Sequence, residues 1–316
     1  MNGGLVEFEK ATVHVLSHAV HYGSGAFEGI RCYDTPEGPA VFRLREHMRR
    51  LEKTCKIYRM PLRFSRAELT EAVLETIRAN DLGACYIRPL VYRGFGPLGV
   101  DPLRSPVDVA VAAWRWGKYL GEEAEKGVDV CVSSWRRVAP DALPAEAKAT
   151  GNYLNAQLVK MEAVINGYAE GIALDEAGYV SEGSGQNLFL VQDGVMVTPP
   201  STASLLPGIT RDTVMTLARD LGIPVREQAV TRGMLYMCDE AFLCGTAVEV
   251  TPLRSIDKYP VGDACPGEVT RRIQTAFHEA VTGAGGDRHG WLTPVAPARD
   301  AETAAVSSKS LQESPR

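Results

Sequence analysis

The segment Leu206–Asp212, LPGITRD, constrains the fold more than any other stretch of the 316-residue chain. Its Pro-Gly pair predicts a tight turn, after which apolar residues recur at helical spacing: Val214, Leu217, Ala218 and Leu221. Thr210 then falls at the predicted N-cap, where unpaired N–H groups of the first turn leave the helix. Such an end attracts a phosphate, although a threonine that only caps the helix is the commoner use of this pattern.

Composition places the chain among ordinary globular proteins, since 45% of its residues are hydrophobic and 23% are charged. The net charge of −5 comes from acids interspersed with lysines and arginines, which gives no case for nucleic acid or an anionic membrane. We therefore expect small-molecule partners. The N-terminus MNGGLVEFEKATV lacks the apolar core of a signal peptide, and no apolar run reaches about 20 residues, so we expect a cytoplasmic protein.

Cysteine and histidine spacing gives no support for a disulfide framework or a metal site. The seven cysteines are widely spaced and contain no C-x-x-C pair, so buried, reduced thiols are expected. His14, His18 and His21 lie close together in sequence, but no acidic or cysteine partner has ligand spacing nearby. Packing or hydrogen-bonding histidines are the favoured interpretation.

Strand and helix patterns alternate along the chain, which predicts an α/β (α+β) protein. FEGIRCYD and AVFRL read as strands, REHMRRLEKTCKIYR as a helix, and Ser65 with Glu68 as the capping box of a second helix. CYIRPLVYR and DVAVAAWRW read as further strands. The charged, glycine-bounded segment GKYLGEEAEKG then breaks the pattern, so we predict a small N-terminal domain over residues 1–118 and an interdomain linker over 119–127.

The second part predicts a larger domain over residues 128–297. It combines the helix YLNAQLVKMEAVINGY, a hairpin turning at Asp193-Gly194, and a closing helix from Gly267 to Thr282. Residues 298–316 carry too few apolar side chains to fold and are predicted to be disordered.

The run GFGPLG, Gly94–Gly99, matches a dinucleotide-binding fingerprint and follows a predicted strand. A glycine loop of that type must open a helix, whereas VDPLRSP follows here with two prolines. We therefore interpret it as a loop. A nucleotide-binding oxidoreductase remains the alternative from a different class.

Lys148 and Glu182 are the candidate chemical groups. Lys148 lies among small residues in AEAKATGN, where desolvation would lower its pKa and make it nucleophilic, although most such lysines are simply solvated. Glu182 in YVSEGSGQNLF is a strand-end carboxylate flanked by serine and glycine. An exposed turn acid is the equally good alternative for that segment alone.

Taken together, these motifs resemble those of the class IV, D-alanine aminotransferase-like pyridoxal 5′-phosphate enzymes, and within them the branched-chain amino acid aminotransferases. The likeness covers nearly the whole chain and runs through VHVLSHAVHYGSGAFEGIRCYD, REHMRRLEKTCKIYR, YIRPLVYRG, VSSWRRVAP, AKATGNYLNAQL, GIALDEAGYVSEGSGQNLF, LPGITRD, REQAVTRGMLYMCDEAF and GTAVEVTPLRSID. It implies a two-domain fold type IV protein with pyridoxal 5′-phosphate in the interdomain cleft. It also implies a homodimer or a multiple of dimers.

The resemblance implies a role for each matched residue. Lys148 would carry the Schiff base and move protons, and Glu182 would pair with the pyridine nitrogen. The other cofactor-binding residues would be Arg50, Tyr153, Leu206, Ile209, Thr210 and Thr246. The substrate-binding residues would be Tyr22, Phe27, Tyr86, Arg88, Trp116, Tyr119 and Ala247.

The implied reaction moves the amino group of L-leucine, L-isoleucine or L-valine to 2-oxoglutarate. A D-amino acid or (R)-amine transaminase of the same fold is the alternative within the family. Gln186 stands where many relatives have glutamate, which removes a charge near the cofactor carboxylate. The preferred donor, the breadth toward other amines and the oligomer size stay open at this level.

Overall fold

The computed structural model describes residues 1–117, 120 and 122–295, and confirms an α/β protein. The strands are β1 Gly25–Phe27, β2 Ile30–Thr35, β3 Gly38–Phe42, β4 Cys85–Arg93, β5 Val107–Trp114, β6 Val128–Val132, β7 Glu170–Leu174, β8 Val180–Gly183, β9 Asn187–Gln192, β10 Val195–Thr198, β11 Val225–Glu227, β12 Glu240–Gly245, β13 Glu249–Ile256, β14 Tyr259–Pro260 and β15 Leu292–Pro294. The α-helices are α1 His18–Tyr22, α2 Leu44–Ile57, α3 Arg66–Ala79, α4 Tyr153–Ile165, α5 Ile209–Asp220, α6 Arg232–Met237 and α7 Glu268–Thr282. Short 3₁₀ helices lie at Phe8–Lys10, Glu122–Lys126 and Thr150–Asn152.

The first sheet is antiparallel, with strand order β1-β4-β2-β3-β15 and β5 paired to β4. Helices α2 and α3 bury their periodic apolar residues in its core, among them Met48, Leu51, Cys55, Leu69, Val73 and Ile77. The predicted capping box is confirmed, because Glu68 N donates to Ser65 Oγ and Ser65 N donates to Glu68 Oε2. Local sequence signals therefore determine this half of the fold well.

The second sheet has nine strands in the order β11-β10-β9-β12-β13-β6-β7-β8, with β14 paired to β13. Helices α5 and α7 contribute Val214, Leu217, Ile273 and Phe277 to a core that also takes in Phe42 of β3. The hairpin at Asp193-Gly194 is confirmed: both residues have positive φ, +50° and +74°, as a type I′ turn requires.

Three elements correct the sequence interpretation. Strand β15 pairs with β3 of the first sheet, although the sequence assigned residues up to 297 to the second part. Helix α6 was not predicted. FEGIRCYD is two strands, because the chain breaks at Glu28-Gly29 and the Glu28 side chain turns into the interior.

The GFGPLG loop opens no helix, as expected from its prolines. His18 anchors this loop through a hydrogen bond, since its Nε2 donates to the Gly99 carbonyl over 2.9 Å. The other ring nitrogen, Nδ1, accepts from Ser24 Oγ over 2.6 Å. His18 is therefore a hydrogen-bonding histidine. Six of the seven cysteines are buried, as predicted, and Cys265 is partly exposed.

Two predicted segments lie wholly or partly outside the described residues. Residues 298–316, the predicted tail, lie outside the described residues, and of the predicted linker 119–127 the structure describes 120 and 122–127. Within the described part of the chain, the helices are all too short or too polar to cross a membrane.

Candidate active site

A cavity of about 250 Å³ brings together residues of both sheets, helix α4 and the loop before it. Its lining includes all but two of the predicted site residues: Phe27, Arg50, Tyr86, Arg88, Trp116, Lys148, Tyr153, Glu182, Leu206, Ile209, Thr210, Thr246 and Ala247. These positions are spread over most of the sequence, so the fold itself gathers them. The predicted residues therefore share one site.

Two predicted substrate-binding residues are placed differently. Tyr22 is 48% exposed, packs its ring against His18 with centroids 4.5 Å apart, and does not line the cavity of its own chain. Tyr119 lies outside the described residues.

The loop before α4 holds Lys148 by its backbone. Lys148 N donates to Thr54 Oγ1 over 3.1 Å, and its carbonyl accepts from Phe27 N over 3.0 Å. At the side-chain end, Nζ donates to Tyr153 Oη over 2.6 Å and lies 4.9 Å from the Phe27 ring centroid. A fixed backbone with an amine on the cavity wall is the arrangement that a covalent lysine requires.

Glu182 on β8 is buried and its two carboxylate oxygens have separate partners. Arg137 Nη2 lies 2.9 Å from Oε1, while Asn187 Nδ2 and Leu206 N donate to Oε2 over 3.1 and 3.2 Å. Burial raises the pKa of Glu182, and the ion pair with Arg137 opposes that rise. The carboxyl group is thus fixed in place and more ready than an exposed glutamate to take up a proton.

Arg50 on α2 is oriented by a buried carboxylate that the sequence did not single out. Its Nε and Nη2 donate to the two oxygens of Glu28 over 2.7 and 2.8 Å, and its Nη1 donates to the Pro207 carbonyl over 3.2 Å. His47 Nδ1 lies 2.7 Å from the same carboxylate. Burial alone would raise the pKa of Glu28, but Arg50 and His47 outweigh it and hold that pKa well below the ordinary range.

Helix α5 begins at Ile209 and its N-cap is Gly208, so the prediction of Thr210 as the N-cap is wrong. A side chain does not fit at Gly208, because a Cβ there would lie 2.0 Å from Asn187 Oδ1. Thr210 is instead a buried residue of the first turn. The N–H groups of that turn have no partner four residues earlier, so this end can still bind an anion near Arg50.

The Thr246-Ala247 turn between β12 and β13 is held by Arg31, whose Nε and Nη2 donate to the Thr246 and Ala247 carbonyls over 2.9 and 3.0 Å. The C=O and N–H of a trans peptide point in opposite directions, so the Ala247 N–H is directed away from Arg31. The turn can therefore present a donor to a carboxylate.

The remaining wall combines apolar rings with one arginine. Arg88 stacks 4.8 Å from the Phe27 ring centroid and donates to Tyr86 Oη over 3.0 Å, and Trp116 meets Tyr86 edge-on at 4.3 Å. Among the described residues, the buried Arg88 Nε has no hydrogen-bond partner. Buried donors are nearly always paired, so this N–H is suited to an incoming anion.

Sequence reasoning missed the residues that orient these groups: Glu28, Arg31, His47, Arg137 and Asn187. All five lie in segments that carry the family resemblance, FEGIR, REHMRRL, VSSWRRVAP and GSGQNLF. The available signal was a charged or amide side chain inside an apolar run, since such a residue must find a buried partner.

The cavity fits pyridoxal 5′-phosphate on its own chemistry. Lys148 offers an amine for an aldehyde, Glu182 offers a fixed carboxylate for a ring nitrogen, and Arg50 beside the α5 N-terminus offers a phosphate site. These features together define the site of a pyridoxal-phosphate-dependent enzyme.

Comparison with known proteins agrees with this interpretation. Residues 25–256 match the family model described as amino-transferase class IV. The chain is 55% identical over 296 residues to the curated branched-chain-amino-acid aminotransferase of Escherichia coli (strain K12), covering 93% of this chain and 96% of that protein. A crystal structure of an Escherichia coli branched-chain amino acid aminotransferase superposes with a TM-score of 0.92 at 55% identity, covering 93% and 98% of the two chains.

A branched-chain amino acid aminotransferase from the source abbreviated T.th. is also similar. Its complex with N-(5′-phosphopyridoxyl)-L-glutamate superposes with a TM-score of 0.90 at 48% identity, covering 94% and 97% of the two chains. Its complex with 4-methylvaleric acid gives a TM-score of 0.89 at the same identity and coverage. The chain belongs to the class IV aminotransferases, and within them to the branched-chain-amino-acid aminotransferase family.

Proposed function

We propose that this protein is a pyridoxal 5′-phosphate-dependent transaminase that moves the amino group of L-leucine, L-isoleucine or L-valine to 2-oxoglutarate. One observation carries the proposal: the Lys148 amine and the Glu182 carboxylate line the same cavity as an apolar wall that contains Arg88, whose Nε has no hydrogen-bond partner in the part of the chain that the structure describes. The relatives support both halves of the reaction, because the T.th. enzyme holds a glutamate adduct in one structure and 4-methylvaleric acid in another.

In this proposal pyridoxal 5′-phosphate supplies an aldehyde for the amino group and a ring that accepts electrons from the substrate Cα. Lys148 attaches the cofactor and moves a proton at Nζ, with Tyr153 Oη 2.6 Å away to orient it. Glu182 keeps a proton on the ring nitrogen. Arg50, Thr246 and the first turn of α5, with Ile209 and Thr210, hold the phosphate, while Leu206 packs on the ring.

The substrate wall has to accept an apolar side chain in one half-reaction and a carboxylate in the other. Phe27 and Trp116 provide apolar surface, and Arg88 provides a charged group beside them. Tyr86 and the Ala247 turn would bind the α-carboxylate that both substrates share. The arginine then serves glutamate and 2-oxoglutarate and turns its Nε–H away from leucine.

The test is transamination by the purified protein with pyridoxal 5′-phosphate and 2-oxoglutarate, using a donor panel that includes both enantiomers of leucine and alanine and an (R)-amine. We expect L-leucine, L-isoleucine and L-valine to give L-glutamate and the matching 2-oxo acids. Preference for D-alanine or an (R)-amine would replace the proposal with the alternative of the same fold. A colourless protein that binds a nicotinamide nucleotide instead would support the oxidoreductase.

We also propose that the protein is a homodimer or a multiple of dimers. Residues of two neighbouring segments form an exposed apolar face: Val13, Val15, Leu16, Val20, Tyr22, Phe95, Leu98, Val100 and Leu103. The two segments are joined by a bridge between Ser17 and Phe95 and by the His18–Gly99 hydrogen bond. Contact between two copies through this face would bury it and would bring Tyr22 to a neighbouring subunit.

The division into a small and a large domain at the segment 119–127 stays a proposal. It is supported by the two sheets, which draw their strands largely from either side of that segment. The seven free cysteines support a reducing compartment, and hence the proposed cytoplasmic location.

A further inference from the structure

Gln186 closes the turn that forms one wall of the cavity. Its Oε1 accepts from Gly185 N over 3.1 Å, and its Nε2 donates to Glu170 Oε2 over 2.9 Å. A backbone N–H only donates and a carboxylate only accepts, so these two contacts fix which end of the amide points where. Gln186 is buried, and Ser184, Gly185 and Gln186 all line the cavity.

The anchor of this amide is a carboxylate with no access to solvent. Glu170, the first residue of β7, is 0% exposed. It accepts from Gly171 N over 2.8 Å and pairs with Lys160 Nζ of α4 at 3.1 Å. Lys160 also donates to the Ala169 carbonyl over 2.5 Å. The partners of Glu170 hold it in place, which makes it a rigid support for Gln186.

The backbone of the turn contacts both the main chain and the side chain of Gln186. Gly183 N donates to the Gln186 carbonyl over 2.7 Å, and a Cβ at Gly183 would lie 2.6 Å from Gln186 Oε1. Glu182 directly precedes the turn, and Asn187, which donates to Glu182, directly follows it. The placement of the Glu182 carboxylate is therefore tied to the conformation that Gln186 maintains.

We propose that Gln186 is a positioning residue of the cofactor site: its neutral amide, anchored on Glu170, fixes the Ser184-Gly185 wall and the flanking Glu182–Asn187 pair. The inference rests on the proposed function. The neutral amide donates to Glu170 with no proton to share, whereas a glutamate, which many relatives have at this position, could accept from Gly185 N but would face Glu170 as a second carboxylate. Two such groups in contact can bind only by sharing a proton, so the site would become sensitive to pH.

The other titratable groups around this pair are Lys160 on α4, Cys131 on β6 and Glu182 on β8. Burial, with neighbouring acids, raises the pKa of Cys131 to about 11, so that thiol stays neutral over the working range. Lys160 remains as the cation that pairs with Glu170.

The experiment compares Gln186→Glu, Gln186→Met and Gln192→Glu, which adds a carboxylate to an exposed residue at the end of strand β9, outside the cavity lining. Pyridoxal 5′-phosphate affinity is measured by fluorescence titration from mildly acidic to mildly alkaline pH, alongside the visible spectrum of the bound cofactor. Gln186→Glu should match the parent at the acidic end and bind about tenfold more weakly at the alkaline end. Gln186→Met should bind more weakly than the parent at every pH, and the profile of Gln192→Glu should parallel that of the parent.

A second variant keeps the test decisive where Gln186→Met does not fold. Adding Lys160→Met to Gln186→Glu removes a cation beside the shared proton, so the loss of affinity should move to higher pH. A Gln186→Glu profile parallel to the parent, or an unmoved midpoint in the double variant, would overturn the inference. Failure of the parent to bind pyridoxal 5′-phosphate would instead overturn the proposed function.

Discussion

Lys148 is distinguished from the second lysine on the cavity wall by its contacts. Lys160 donates to Glu170 and to the Ala169 carbonyl, whereas Lys148 Nζ donates to Tyr153 Oη and to no carboxylate among the described residues. We expect Lys148→Ala to fold and to lose several orders of magnitude in turnover. Mass spectrometry after borohydride reduction should detect bound cofactor in the parent and in Lys160→Ala but not in Lys148→Ala. Near-normal transamination by Lys148→Ala would disprove this assignment.

Arg88 should serve the glutamate half-reaction more than the apolar one. Truncating one partner of a buried charged hydrogen bond costs about 2 to 5 kcal/mol, so Arg88→Ala should raise the KM for 2-oxoglutarate about thirtyfold or more. The KM for leucine should change far less, since leucine has no distal carboxylate. Steady-state kinetics on both substrates checks this.

The control is Arg115→Ala. Arg115 is exposed and lies three residues after Ala112, the β5 residue that pairs with Arg88. It should leave both KM values unchanged. Equal losses on the two substrates in Arg88→Ala would show that Arg88 holds the shared α-carboxylate or the wall itself.

Glu28 lies in the break between strands β1 and β2 and connects the first sheet to helix α2, because its carboxylate contacts Arg50 and His47 of that helix. Glu28→Gln leaves Arg50 and His47 without their buried carboxylate, which should lower the free energy of unfolding by about 3 to 5 kcal/mol. Because the folded-state pKa of Glu28 is lowered, its contribution is complete above the ordinary carboxyl pKa and is lost as the pH falls below it. The gap between parent and variant should therefore be largest near neutral pH and shrink in acid.

Urea unfolding at neutral and acidic pH measures this gap. Glu46→Gln is the matched control on the same helix, because Glu46 pairs with Arg43 while remaining 35% exposed. It should cost less than about 1 kcal/mol. A Glu28→Gln variant as stable as Glu46→Gln would contradict the structural role of the Glu28 cluster.

The same break places Gly29 directly beside the substrate wall. A Cβ at Gly29 would lie 2.1 Å from Tyr86 Oη, so Gly29→Ala must displace that hydroxyl. Both substrates carry the α-carboxylate assigned to Tyr86, so KM should rise for leucine and for 2-oxoglutarate together, unlike in Arg88→Ala. Gly233→Ala in α6, where the nearest atom to a new Cβ is 3.9 Å away, should leave both KM values as in the parent. A selective effect on one substrate would argue against the shared role of Tyr86.

For the whole molecule, the exposed apolar face predicts association of two copies. Val100 is 86% exposed on this face, so Val100→Glu should place a charge in the contact and yield monomers. Sedimentation velocity should give at least twice the mass of one chain for the parent. It should give the same for Met237→Glu, a charge at a 66% exposed residue of α6. A parent that sediments as a monomer would remove the proposed dimer.

The sequence by itself determined the elements whose signals are local. The periodicity of α2, the capping box of α3 and the Asp193-Gly194 turn depend on neighbours within a few residues, and each is found where it was predicted. The motifs also made Lys148 and Glu182 candidate site residues through the family resemblance, and both line the cavity.

Only the tertiary structure decided how these groups are held. Arg137 meets Glu182 across 45 positions of the chain, and Arg31 reaches the Thr246 carbonyl from the other sheet. The pairing of β15 with the first sheet and the exposure of Tyr22 also depend on tertiary packing. Helices and turns are encoded by residues that are close in the sequence. A buried charge, in contrast, contacts its partner only after the elements that carry the two residues have packed together, so a local sequence pattern does not predict the pair.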